Sequence, residues 1–223
     1  MLTPPLPVLW ERELGMNRIG LVCRAFIALV VLSVAAGAPR VLQAQAIWNY
    51  HVGDTPTGLS KLGPVSGLEK YKNDDVFRWV LPNRNLLTAT VDPEGEIVYL
   101  ESDWGGKSDE TGCDLAGLKF GATTLADLHK RFGSNGFGYK RRPHVMTTKD
   151  GVQLMNSWEV GNVVVSFYTR ISAADYAKAQ ASAAGDAADF AKLEGISMAN
   201  TAYAKSEWGD RVSDPAYKKI AWK

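Results

Sequence analysis

Two cysteines and three histidines in 223 residues leave little for metal or thiol chemistry. His51, His129 and His144 are far apart, and no C-x-x-C or H-x-x-x-H spacing occurs, so the closed ligand sets of zinc sites have no counterpart here. G-x-S-x-G elbows, Walker loops and dinucleotide fingerprints are missing too. Charge of one sign is also lacking. A net charge of +1 supplies no basic field for nucleic acid or anionic lipid. The expectation is therefore no metal, no cofactor, no nucleic-acid partner and no recognisable catalytic residue.

Long hydrophobic runs are missing except near the start. Met16-Asn17-Arg18, with Arg24 following, opens a positively charged segment. The apolar run 26–36 comes next, and Ala44-Gln45-Ala46 is a small-residue cleavage site. This is the grammar of an export signal, with Met16 as initiator and 1–15 as an upstream extension. The apolar core is shorter than the ~20 residues of a membrane span. Cleavage after Ala46 predicts a soluble periplasmic or secreted protein. It removes Arg12, Arg18, Arg24 and Arg40 against Glu11 and Glu13, so the exported chain is near neutral. Cys23 leaves with the signal. Because Val22 precedes it and the apolar core follows it, it is not a lipidation cysteine. Cys113 then has no partner for an internal disulfide, and reads as a buried small hydrophobe.

The exported chain shows one plan twice, over 47–102 and 121–171. Each copy opens with a glycine, a threonine start signal, a short amphipathic helix and a glycine stop. The first runs from Thr55-Pro56 to Gly63 and the second from Thr124 to Gly133. Thr124 with Asp127 forms a capping-box variant, Leu125, Leu128 and Phe132 share a face, and Gly133 suits a left-handed cap. Strands follow each helix, over 76–81, 86–91 and 97–100, then over 145–148, 152–160 and 163–171. Asp150-Gly151 and Gly161-Asn162 are hairpin turns. The fold expected is α+β: two tandem helix–three-stranded antiparallel meander units, able to share one sheet, plus C-terminal helices.

Between the copies, 103–120 is glycine-rich and polar and reads as a linker or loop. The alanine-rich segment 172–223 predicts a helix over 173–193 after the Ser172–Asp175 capping box, interruptible at Gly185 and ended by Gly195. A second helix is predicted over 198–207, and Asp214-Pro215 starts a last turn toward Ile220 and Trp222.

Gly121-x-Thr-Thr-Leu-x-Asp-Leu-x-x-x-Phe-Gly followed by a meander resembles the unit of the β-lactamase inhibitor protein superfamily, which includes outer-membrane assembly lipoproteins of the BamE type. The resemblance covers 53–171. It implies two units with their sheets side by side and a face presented to a protein partner. The disulfide in each inhibitor unit and the acylated cysteine of the lipoproteins have no equivalent here, and no contact residue carries over.

Two segments could make a contact surface. Ser134 to His144 joins Phe137 and Tyr139 to the basic run Lys140-Arg141-Arg142. It is either a binding loop with aromatic anchors and arginine forks or a loop stapled to the sheet by its aromatics. Trp104, in the glycine-rich stretch, is either a recognition anchor or a plug between the halves. Acid pairs such as Asp74-Asp75 and Asp109-Glu110 read as solvated. The leading expectation is a non-catalytic protein-binding or inhibitor-like module whose contact surface is bordered by Trp104, Phe137, Tyr139, Arg141 and Arg142, with another envelope or secreted protein as partner. The alternatives are an envelope-acting enzyme with an unrecognised site, or an outer-membrane assembly factor.

Overall fold

The computed structural model describes residues 45–142, 144–181, 186–213, 217 and 219–220. The segment up to Ala44 read as an export signal, Gly185, the turn expected at Asp214-Pro215 and Trp222 lie outside the described residues. Among the described residues, no helix is long and apolar enough to cross a membrane.

The architecture is α+β, built on one antiparallel sheet of ten strands. The strands are β1 (Gly67–Tyr71), β2 (Asp74–Val80), β3 (Leu86–Val91), β4 (Ile97–Asp103), β5 (Phe137–Tyr139), β6 (Val145–Thr148), β7 (Gly151–Val160), β8 (Val163–Ser172), β9 (Lys192–Asn200) and β10 (Arg211–Ser213). They lie in the order β1-β2-β3-β4-β9-β8-β7-β5-β10, with β6 paired to β7 off this path. The helices are α1 (Leu125–Phe132), α2 (Ala173–Ala181) and α3 (Thr201–Trp208). Pro56–Leu62 forms a 3-10 helix with its proline in the first turn and no side-chain cap from Thr55.

The local signals act as their chemistry requires. Thr124 and Asp127 cap α1 reciprocally, and Gly133 closes it with φ 70°. Gly161 turns β7 into β8 with φ 61°, where a side chain would strain the backbone. β7 and β8 pair along their whole length, from Gly151↔Ser172 to Val160↔Val163.

One face of the sheet carries the main core. Trp79, Leu87, Ala89, Leu100, Trp158 and Phe167 pack there against Leu125 and Leu128 of α1 and against Leu115, Leu118 and Phe120. The other face carries a smaller cluster, in which Tyr99, Phe137, Tyr139, Met155 and Tyr168 meet Ala204 and Trp208 of α3.

The C-terminal segment differs most from expectation. Residues 192–200 are a central strand, not helix. β9 pairs with β4 on one side (Tyr99↔Ala199 to Asp103↔Gly195) and with β8 on the other. Leu193, Ile196, Met198 and Ala199 are all fully buried, and a strand covered on both faces loses the alternation that would betray it. Gly195 lies inside the strand rather than ending a helix. The next helix starts at Thr201, because the Asn200 side chain accepts from the Ala202 amide as its N-cap. β1 was also not foreseen. It is an edge strand whose side chains are mostly exposed, so it carries no burial signal. The stretch 103–120 is more than a spacer: Thr111, Leu115, Leu118 and Phe120 are buried, the bridge Ile47↔Cys113 ties it to the body, and Glu110↔Lys119 closes it on itself.

Candidate functional site

Cross-strand partners share a sheet face, so the pairing places a polar row across the second face. Arg78, Thr88, Glu101, Ser197, Ser166 and Ser157 stand side by side on β2, β3, β4, β9, β8 and β7. Next to it runs a second row: Val80, Leu86, Asp103, Gly195, Tyr168 and Met155.

The two ends of these rows differ. Toward β7 they are roofed by α3 and the segment after β5. Ser166 and Ser157 are fully buried, with their hydroxyls hydrogen-bonded at 2.7 Å. Toward β2 they are open. Val80 is 53% exposed and Leu86 42% exposed, and Arg78 is exposed, paired with Glu69 at 2.7 Å. Glu101 and Asp103 stand at the boundary, both half-buried.

A hydrogen-bonded cluster holds that boundary. The Tyr99 hydroxyl donates to Glu101 Oε2 at 2.5 Å, and the Tyr168 and Ser197 hydroxyls are bonded at 2.9 Å. Arg142 lies over both the Trp208 ring, at 4.4 Å, and the Tyr168 ring, at 5.2 Å. Arg170 Nε and Glu194 Oε2 approach to 2.7 Å at the flank.

Burial pushes the Asp103 carboxyl up to about 7, and the charges of Glu101 and Glu194 add to it, while Arg142 opposes the rise. Burial also raises the Tyr168 phenol, to about 12, and lifts Tyr99 well above its usual range. For Arg142, burial works against the charge, but Tyr168, Tyr99 and Glu101 outweigh it, so the guanidinium stays charged. The result is one permanent cation, one carboxylate bonded to a tyrosine, and one carboxyl that titrates near neutrality. It can recognise charged groups or trade a proton. No group of three or more histidine, cysteine or acidic side chains suited to a metal occurs among the described residues.

The five residues expected to border a contact surface are not brought together on one exposed patch. Phe137 and Tyr139 are buried, at 1% and 5% exposed, stacked edge-on to each other and to Tyr217 and Trp208. They staple their loop to the sheet, the structural alternative named above. Trp104 is half-buried against the main core, its ring against Gly121, where a Cβ would lie 2.6 Å from Cη2. It fills the space between the end of β4 and Gly121, ahead of α1. Arg141 is exposed, its side chain beside Gly209. Arg142 alone joins the cluster.

Sequence reasoning passed over Glu101, Asp103, Tyr99 and Tyr168. A signal was there: Leu100-Glu101-Ser102-Asp103 alternates, which sets both acids on one face of β4. What buries them comes from β9 and from the loop after β5.

No family model matches the chain, and no curated protein matches it. Two solved structures are similar. One is the DUF4309 family protein YjgB from Bacillus subtilis, 13% identical, with 66% of this chain and 78% of that chain covered at a TM-score of 0.35. The other is an extracellular protein containing an SCP domain from Bacillus anthracis, 10% identical, with 75% of this chain but only 50% of that chain covered at a TM-score of 0.37.

Proposed function

We propose that the chain is an exported, non-catalytic protein-binding module, inhibitor-like in mode, that takes its partner on the open half of the second sheet face. The observation that carries this reading is the run Val80, Leu86, Thr88 and Arg78 beside Glu101 and Asp103. Aliphatic side chains stand exposed next to charged groups on a paired, rigid sheet. An apolar patch with a charged rim is what protein contact surfaces offer. Arg142 and Arg141 border this face, while Phe137 and Tyr139 pack at its roofed end under α3 and Trp104 packs on the opposite face, against the main core. The two helix-plus-meander copies, α1 with β6–β8 and the 3-10 helix with β2–β4, fit the tandem plan of the β-lactamase inhibitor superfamily. In this reading β9 is wedged between their sheets.

Capture from periplasmic extract tests it. The wild-type chain should retain a partner that a Val80→Glu/Leu86→Glu variant of unchanged Tm loses. Identical profiles would remove this face from the proposal. One observation favours an enzyme acting on an envelope component instead: Asp103, with a carboxyl titrating near neutrality beside Glu101, has the tuning of a general acid–base group. Turnover of an envelope polymer that disappears in Asp103→Asn would establish that reading.

A further inference from the structure

We propose that the outer edge of β1 pairs antiparallel with β1 of a second copy of this chain, so that the sheet continues across a two-fold axis at Leu68. β1 ends the strand order, and no strand lies beyond it among the described residues.

Edge strands of soluble proteins are guarded by proline, by bulges or by charges on the strand. β1 has no proline, and its pairing with β2 runs without a bulge from Gly67↔Arg78 to Tyr71↔Asp74. Its two charges are turned inward over β2. Glu69 Oε1 accepts Arg78 Nη2 at 2.7 Å, and Lys70 Nζ reaches Asp75 Oδ1 at 2.8 Å. The apolar side chains stay outside. Leu68 is 64% exposed, more than any other large hydrophobic residue among those described, and Tyr71 is 48% exposed. Leu68 stands on the main-core face, outside its β2 partner Phe77.

Charge selects a second copy and its register. Around a two-fold axis perpendicular to the sheet, one residue lies opposite its own copy. Three registers pair at least three residues of Gly67–Tyr71, with Leu68, Glu69 or Lys70 on the axis. The last two set like charges directly opposite, which destabilises a strand pair. With Leu68 on the axis, leucine faces leucine, and Gly67 faces Glu69 of the other copy. Gly67 is also the cross-strand partner of Arg78. The incoming Glu69 therefore enters the row of Arg78 with only a glycine between them. Arg78 holds one acid within its own chain, and its fork keeps N–H groups for a second.

Such an axis leaves the second faces of both copies on the same side. Val80 and Leu86 of the two copies then belong to one platform, although the pairing itself does not depend on a partner bound there.

Sedimentation equilibrium of the full exported chain across a concentration series tests the pairing. The wild-type mass should rise from one chain to two. Leu68→Lys, at an exposed position, should keep Tm and hold the mass at one chain. Disulfide trapping in a Cys113→Ser background reads the register. Directly opposite Cα atoms lie about 4.5–5.5 Å apart, within disulfide reach, so Leu68→Cys should cross-link under mild oxidant. Lys70→Cys should not, because the two substituted positions are then four residues apart along the strands, about 13 Å. A wild-type mass of one chain at every concentration would overturn the proposal and leave the edge to a strand of another protein. A dimer that survives Leu68→Lys, or equal cross-linking at both positions, would overturn it as well.

Discussion

A Cβ placed on Gly195 would lie 2.8 Å from Oδ1 of Asp103 and 2.9 Å from the Tyr168 ring. The carboxylate therefore occupies space that any other residue at the centre of β9 would fill. Gly195→Ala should destabilise the protein by about 1–3 kcal/mol, as overpacking does. Urea unfolding reads the loss. An unchanged midpoint would show that the carboxylate has room to retreat.

The same carboxyl makes stability depend on pH. Asp103 titrates near 7 in the folded chain against a reference of 3.8, so the native state holds its proton more tightly than the unfolded state. Between these values the unfolded chain has released a proton that the native chain keeps. Stability from this group is complete below about pH 4, falls as pH rises, and levels off above about pH 7. Asp103→Asn removes that slope. Urea midpoints of wild type and variant at pH 4.5, 6 and 8 should therefore diverge as pH rises, with the variant gaining. Parallel curves would exclude the shift.

Trp104 should behave as a packing residue. Its ring packs against the main core and fills the space beside Gly121. Trp104→Ala should cost about 3 kcal/mol, the range for removing a large aromatic. Partner capture below the lowered Tm should be retained. Loss of capture without loss of stability would restore Trp104 as an anchor.

Cys113 is half-buried, and burial raises its thiol to about 12. Because the thiolate is the nucleophile, iodoacetamide at pH 8 should label the folded chain slowly and the urea-unfolded chain fast. Equal rates would mean the thiol is not held in this way.

Much of this molecule was legible where one short segment contains its own reason to fold. Thr124, Asp127 and Gly133 set α1 among themselves, Gly161-Asn162 turns β7 into β8, and Lys149-Asp150 turns β6 into β7 with Gly151 already paired to Thr148. β9 was illegible because Leu193, Ile196 and Ala199 are inside on both faces, and that burial is conferred by β4, β8 and their coverings. The candidate site failed for the same reason. Asp103 reads as the first residue of a polar linker. It becomes a neutral-range carboxyl only when distant segments bury it, with the charges of Glu101 and Glu194 adding to the rise against Arg142.

The place of β9 also dictates an order of assembly. β2–β4 and β6–β8 can each pair with near neighbours in sequence, but the strand that joins them pairs Tyr99 with Ala199. Such distant pairing is the slow part of folding. Until 192–200 has emerged and inserted, β4 and β8 are both bare edges open to strand exchange with other chains. The risk of aggregation is thus concentrated in the interval before the last strands arrive. Chains truncated before β9 should keep both hairpin sets and lose the single sheet.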